Sequence, residues 1–327
     1  MRLSLEHLSE LKGWPIIRLI RAICMAMWPI SLLMPFYYRM RFTSRWYDFL
    51  NRNTKDRFEA EVLNLDDVEQ AAVRSLEADG IYVSNIEELL PNVSLDEICS
   101  AARRLLNQPI IREQIKRRRS RVGHKWYVIR AFGFQRNVEP LKPFLDFLLH
   151  PRILNILNSY FGLYCRLNYL DIWHNLPRRD DESEIDSEFW HRDHEDLRVI
   201  KIYLYISDVT LKQGPFTYLC GSQRNGEYGS VFSELPGLVY NPPVSDLLDQ
   251  IPAERQMVCA GKSGTVVICD VSGFHKGGRS TSKPRTVLAA TFASNAAIHP
   301  MRYRLPQSID EKSLDNSARY AMRLPLA

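Results

Sequence analysis

None of the six cysteines of this chain, Cys24, Cys99, Cys165, Cys220, Cys259 and Cys269, belongs to a C-x-x-C pair. Zinc-finger spacing is therefore excluded. No disulfide framework suggests itself in 327 residues, so a reducing, cytoplasmic setting is the expectation. Internal repeats and low-complexity segments are also missing. Acidic residues are absent from Leu11 to Tyr47, where Lys12, Arg18, Arg21, Arg39, Arg41 and Arg45 are basic. Within that stretch Ala22 to Tyr38 carries no charge. It falls short of the roughly 20 apolar residues a spanning helix needs, and Pro29 and Pro35 interrupt it. A cleaved signal is not expected, because Glu6 and Glu10 stand in the n-region and no small-x-small site follows.

What is present is a chain with 45% hydrophobic and 25% charged residues, enough to bury a full core. One large catalytic domain with appendages fits this length. The expected division is an arm over 1–56, the domain over 57–305 and a tail over 306–327. The arm reads as helical, packed on the domain or on a second copy. A monotopic segment is the alternative, with Trp14, Trp28 and Trp46 at the interface and arginines against lipid phosphates. A net charge of +5 suits an anionic substrate or a membrane surface and is too weak to argue for nucleic acid.

Helical spacing of Val62, Leu65, Val68, Ala72, Val73 and Leu76 predicts a helix capped by Asn64 or Asp66 and ended by Asp79-Gly80. Ile81 to Val83 reads as a strand, and Ser94 with Glu97 as the capping box of a second helix. Lys116 to Arg121 is the densest charge run; a solvated helix end is its simpler explanation, an anion landing site the alternative. Lys125 to Phe132 reads as a strand and Pro140 to Phe161 as one helix. Further strands are expected at Arg166–Trp173, Val199–Ile206, Phe216–Leu219, Thr265–Ile268 and Val287–Phe292. Helices first and short strands later predict an α+β protein on a jelly-roll barrel.

Chemistry concentrates in Trp190-His191-Arg192-Asp193-His194-Glu195-Asp196. Residues i and i+2 of extended chain point to one side, so a His and an Asp at that spacing can hold adjacent positions on one metal ion. His191-x-Asp193 and His194-x-Asp196 both fit, with a modest preference for the first, where Trp190 offers a wall against water. Such triplets also arise by chance. A third ligand is available in His275, flanked by Gly273, Gly277 and Gly278, which permit a tight backbone approach. Two imidazoles and one carboxylate on one face match the non-haem iron(II) oxygenases. Arg285 opens a β-rich run ten positions after His275, where its planar fork suits the far carboxylate of a dicarboxylate cosubstrate.

Together, Phe189 to Asp193, Asp208-Val209, Gly214-Pro215-Phe216, Gly221-Ser222-Gln223, Gly273-Phe274-His275 and Arg285 resemble the phytanoyl-CoA dioxygenase family, over roughly residues 63–292. The resemblance implies a double-stranded β-helix (a cupin-like jelly roll) with flanking helices, and Fe(II)- and 2-oxoglutarate-dependent oxidation. It selects His191, Asp193 and His275 as metal ligands and Arg285 as the cosubstrate arginine, with Tyr203 as an aromatic beside it. Asp193 separates a hydroxylase from the iron halogenases, which lack that carboxylate. Gly277 replaces a serine of some relatives, Val287 breaks an R-x-S pairing, and Leu219 to Gln223 lacks a family Pro and His.

Two other enzyme or binding classes compete. A cupin-like metalloenzyme would share the triad but has no use for Arg285, and a non-catalytic membrane-associated protein has no use for three intact ligands. Nucleic-acid binding through Arg117–Arg121 lacks interleaved aromatics. The substrate is expected to be a small molecule, anionic or lipid-like, and peripheral membrane contact through the arm is an accompanying expectation.

Overall fold

The computed structural model describes residues 40, 42–61, 63–118, 126–132, 141–232, 244–297 and 306–325. The apolar stretch Ala22 to Tyr38 lies outside the described residues. Among the described residues no helix is long and apolar enough to cross a membrane.

Helices dominate the first half because their start signals are explicit. Helix α1 (Ser44–Glu59) is capped by Thr43. In α2 (Asp67–Asp79), Asp66 rather than Asn64 is the cap, with Glu69 closing a full capping box. Gly80 then ends the helix at φ 76°, a left-handed conformation that glycine adopts without steric cost. Strand β1 (Ile81–Asn85) follows directly, then α3 (Ile86–Leu89) and α4 (Leu95–Leu106), where Ser94 accepts from Glu97 N–H. Helix α5 (Pro109–Arg118) and the short strand β2 (Val128–Arg130) come next. The charge run expected at a helix end does begin there, and Arg117 pairs with Glu113 at 2.9 Å; residues 119–125 lie outside the described residues.

The single helix expected over Pro140 to Phe161 is two, α6 (Lys142–Leu148) and α7 (Pro151–Phe161). Pro151 has no N–H to donate and disfavours helical backbone in the residue before it. His150 accordingly leaves the helix at ψ 134°, and its Nδ1 accepts from Arg152 N–H.

The second half supplies β3 (Arg166–Asn175), β4 (Val199–Tyr205), β5 (Phe216–Leu219), the short α8 (Val244–Leu248), β6 (Gln256–Cys259), β7 (Thr265–Asp270), β8 (His275–Gly277) and β9 (Arg285–Ala293). All pairings are antiparallel. One sheet has the order β1-β7-β4-β9-β3-β2 and the other β6-β5-β8, two sheets of a jelly roll. Helix α9 (Asn316–Ala321) packs its Ala318 and Ala321 into the main core.

The central strands are mostly apolar on both sides because both faces are covered. Ile200, Ile202, Leu204, Leu288, Ala290 and Phe292 face the helices, sharing a core with Ile153, Leu154 and Leu157 of α7. The alternate residues Tyr203, Tyr205, Val267, Val287 and Ala289 turn to the smaller sheet and meet Phe216 and Tyr218. Alternation along a strand thus assigns one set to stability and the other to the interior between the sheets. Ile202→Ala is expected to lower the unfolding free energy by about 2–5 kcal/mol in urea titration. Leu211→Ala, at a side chain 72% exposed, should stay within about 0.5 kcal/mol of the parent.

Candidate active site

The interior between the sheets contains a cavity of about 420 Å³. At one end, segments distant in sequence are stitched together by backbone. His191 N–H donates to the His275 carbonyl and His275 N–H to the His191 carbonyl, both at 3.0 Å. Asp193 N–H donates to the Val271 carbonyl at 2.8 Å. Extended backbone here sends alternate side chains to opposite sides. His191 and Asp193 enter the cavity, while Trp190 joins Leu219, Leu247, Ile251 and Phe274 in a separate apolar cluster. The wall expected from Trp190 is therefore on the far side of the backbone from the cavity. Arg192 lies over the Phe274 ring at 3.9 Å and donates to the carbonyls of Ser222, Gly229 and Phe232.

His191, Asp193 and His275 offer ligand atoms that all lie within 4.8 Å of one another. His191 Nε2 is 3.9 Å from Asp193 Oδ1, and His275 Nε2 is 3.9 Å from Asp193 Oδ2. A slight inward closure would bring all three to the roughly 2.0–2.2 Å of first-row metal bonds. The outer nitrogens orient the rings. His191 Nδ1 faces the Phe189 carbonyl at 2.8 Å and His275 Nδ1 the Gly273 carbonyl at 3.0 Å. Carbonyls only accept, so each Nδ1 carries the proton and Nε2 is left with the lone pair that a metal could take. Two neutral imidazole nitrogens and one carboxylate oxygen form a donor set that suits iron(II).

Electrostatics hold these groups in their ligating forms. Burial, with His191 beside it, pushes the His275 imidazole down to about 3, so it is neutral across the physiological range. Burial opposes ionisation of Asp193, but the Lys201 ammonium and the two imidazoles outweigh it and hold the carboxyl below its usual range. Lys201 Nζ donates directly to Asp193 Oδ2, and despite its burial that pairing raises its own value. Glu195 is pushed up to about 7, first by burial and then by the Asp193 charge.

Arg285 lines the same cavity from the start of β9, beside Asn175 of β3. Its Nε is buried without a hydrogen-bond partner, as is Asn175 Oδ1. A buried guanidinium in that state is a ready anion receptor. Tyr203 lies on β4 in a chain of rings, 6.0 Å from Trp173 and 5.0 Å from Phe216, with Phe216 5.6 Å from His275.

The alternative pair is engaged elsewhere. Asp196 is buried and accepts from Ser294 N–H and Leu197 N–H, both at 2.8 Å, anchoring the end of β9. His194 stacks edge-on with Phe42 at 6.2 Å. Of the glycines around His275, Gly273 and Gly278 are required by space. A Cβ at Gly273 would lie 2.1 Å from Tyr218 Oη, and one at Gly278 would lie 2.6 Å from backbone atoms of Gly214 and Pro215. Gly277 has room, its nearest neighbour being Ser187 O at 3.6 Å. In the altered turn Leu219 to Gln223, Ser222 Oγ donates to the Leu219 carbonyl and accepts from Phe274 N–H at 2.8 Å, which positions the residue before His275. Sequence reasoning missed Lys201 and Glu195. The signal for Lys201 was a charge within the buried run Val199–Tyr205, sharing a face with Tyr203.

The family profile described as Phytanoyl-CoA dioxygenase (PhyH) matches residues 83–287. Solved structures similar to this chain include SnoN, the non-haem α-ketoglutarate-dependent epimerase from nogalamycin biosynthesis. It shares 15% identity over 69% of this chain and 83% of its own, with a TM-score of 0.47. EctD from S. alaskensis with 2-oxoglutarate and 5-hydroxyectoine shares 16% over 82% and 90%, at 0.48. AviO1 from Streptomyces viridochromogenes Tue57 shares 16% over 73% and 100%, also at 0.48. No curated protein sequence matches the chain.

Metal analysis of the purified protein separates the two registers. His275→Ala and Asp193→Ala are expected to lose bound iron(II) or cobalt(II) under conditions that saturate the parent, while His194→Ala retains one equivalent. Loss in His194→Ala with retention in Asp193→Ala would reverse the assignment.

Proposed function

The chain belongs to the phytanoyl-CoA dioxygenase family, and from that premise we propose that it is an Fe(II)- and 2-oxoglutarate-dependent dioxygenase that hydroxylates a C–H bond of a small molecule. The observation that carries this reading is the convergence of His191, Asp193 and His275 at one end of a cavity that Arg285 also lines.

In this reading His191, Asp193 and His275 would hold the iron. The iron and 2-oxoglutarate would supply the oxidising power, with succinate as the spent cosubstrate. The rest is done by the protein. Arg285 receives the far carboxylate, its fork replacing the hydration that the anion leaves behind. Tyr203 and its aromatic neighbours exclude water from that end of the cavity. Lys201 neutralises the outer oxygen of Asp193, so the carboxylate is oriented before metal arrives. The Nδ1–carbonyl bonds of both histidines keep their Nε2 atoms aimed inward. A cupin-like enzyme without an oxoacid gains nothing from a buried arginine at the Arg285 position.

The N-terminal arm is expected to pack mainly on the domain, with peripheral membrane contact as the alternative. In that alternative its basic residues would hold the chain at anionic lipid, at about 1 kcal/mol each. Liposome flotation of the full chain against one starting at Met40, which keeps α1 and its buried Tyr47 and Asn51, tests this, and equal flotation of the two rules it out.

Succinate release by iron-loaded protein across a metabolite panel tests the activity. For the cosubstrate, Arg285→Lys is expected to weaken 2-oxoglutarate binding to metal-loaded protein about tenfold or more in calorimetry, because a point charge replaces a bidentate fork. Equal affinity of the two proteins would remove Arg285 from the site.

A further inference from the structure

Once iron and 2-oxoglutarate have their residues, as the proposed function assigns them, two polar groups of the cavity keep hydrogen-bonding capacity to spare. Both line it next to Asp193. Glu195 Oε2 is buried and accepts no hydrogen bond. Lys201 places one of the three donors of its ammonium on Asp193 Oδ2. Trp173 Nε1 donates to Tyr169 Oη at 2.8 Å, and Tyr169 Oη donates to Asp171 Oδ2 at 3.1 Å, so those rings spend their polar atoms on each other. Together with Tyr203 they give the cavity an aromatic side.

A carboxylate oxygen buried beside a second carboxylate and left unpartnered is destabilising. The Lys201 charge offsets part of that cost, but Oε2 itself keeps no hydrogen bond, and a ligand that brings a donor would complete it. We propose that Glu195, with Lys201 beside it, is the substrate-anchoring subsite. Its ligand is a small molecule that presents a hydroxyl or a protonated amine to Glu195. An unfunctionalised acyl or hydrocarbon chain is rejected, because it would desolvate Glu195 Oε2 and give nothing in return. The aromatic wall accommodates the carbon skeleton, and where the head is a hydroxyl the spare N–H groups of Lys201 donate to its oxygen. Specificity then follows from one polar contact placed close to the reacting end.

Two measurements on the full chain test this. The first is thermal unfolding of metal-free protein. Glu195→Met removes the orphaned carboxylate at similar length and should raise Tm by about 2–4 °C. A lowered Tm would mark Glu195 as structural and overturn the inference.

The second is an anaerobic titration that follows the visible charge-transfer absorption of the iron(II)–2-oxoglutarate chelate. The probes are alicyclic alcohols and amines, each beside the hydrocarbon of the same skeleton. The parent should respond to an alcohol or an amine and not to the matching hydrocarbon. In Glu195→Met the apparent affinity for the responding probe should fall about tenfold or more. Glu195→Gln separates the two head groups, keeping the response to an alcohol and losing that to an amine. Equal responses to hydrocarbon and polar probe, no response to any alcohol or amine, or an unchanged Glu195→Met would each overturn the subsite. Failure of the chelate band to form in the parent counts instead against the oxygenase reading, and the unfolding measurement still decides the role of Glu195.

Discussion

Two backbone hydrogen bonds, each 3.0 Å long, join His191 to His275, and the geometry of the site depends on them. A metal site built from two loops would need both to be ordered by the ion itself, at the cost of their conformational entropy. Here the peptide groups are already paired, with Asp193 N–H on the Val271 carbonyl extending the same register. Each partner segment is in turn fixed from outside. Asp270 accepts from Tyr160 Oη at 2.6 Å and Ser272 N–H at 2.9 Å, Ser222 holds Phe274 N–H, and Arg192 ties the loop through Gly229 and Phe232. The ligating side chains inherit their directions from backbone that is rigid for other reasons.

The same burial sets the charges. Removing an ammonium from water costs several kcal/mol unless a counter-ion meets it, and Lys201 meets Asp193. Low dielectric also keeps His275 neutral, with its value near 3. The site therefore stands at neutral pH with a neutral imidazole at His275 and an ionised carboxylate, the forms a metal needs. In the cavity, Arg285 Nε, Asn175 Oδ1 and Glu195 Oε2 are buried without hydrogen-bond partners. An unpartnered buried guanidinium nitrogen calls for an anion, an unpartnered carboxylate oxygen for a donor.

Comparison of sequence with structure is instructive at particular elements. The capping box at Asp66 and the cap at Ser94 were legible because capping is local: a side chain reaches a backbone group three residues away. The split at Pro151 was also written locally, in a residue that cannot donate, and apolar spacing across it concealed the break. The short strands β6 and β8 carried no readable alternation, since pairing with β5 rather than their own pattern defines them. Trp190 was misplaced because adjacency to His191 in sequence means the opposite side in extended backbone.

By itself the sequence determined the chemistry available: one imidazole and one carboxylate at a spacing that shares one side, a distant glycine-flanked histidine, and an arginine opening a strand. It also determined the class of fold, since capped helices and doubly apolar strands follow from local periodicity and burial. Which His-x-Asp pair meets His275 is not a local property. His191-x-Asp193 and His194-x-Asp196 have the same spacing, and only the register against residues 271–275 separates them, sending Asp196 to Ser294 instead. That Lys201 and Glu195 share the cavity was likewise decided by tertiary structure. Facing inward beside Asp193 depends on how β4 lies between β7 and β9, a consequence of long-range pairing that no stretch of chain specifies alone.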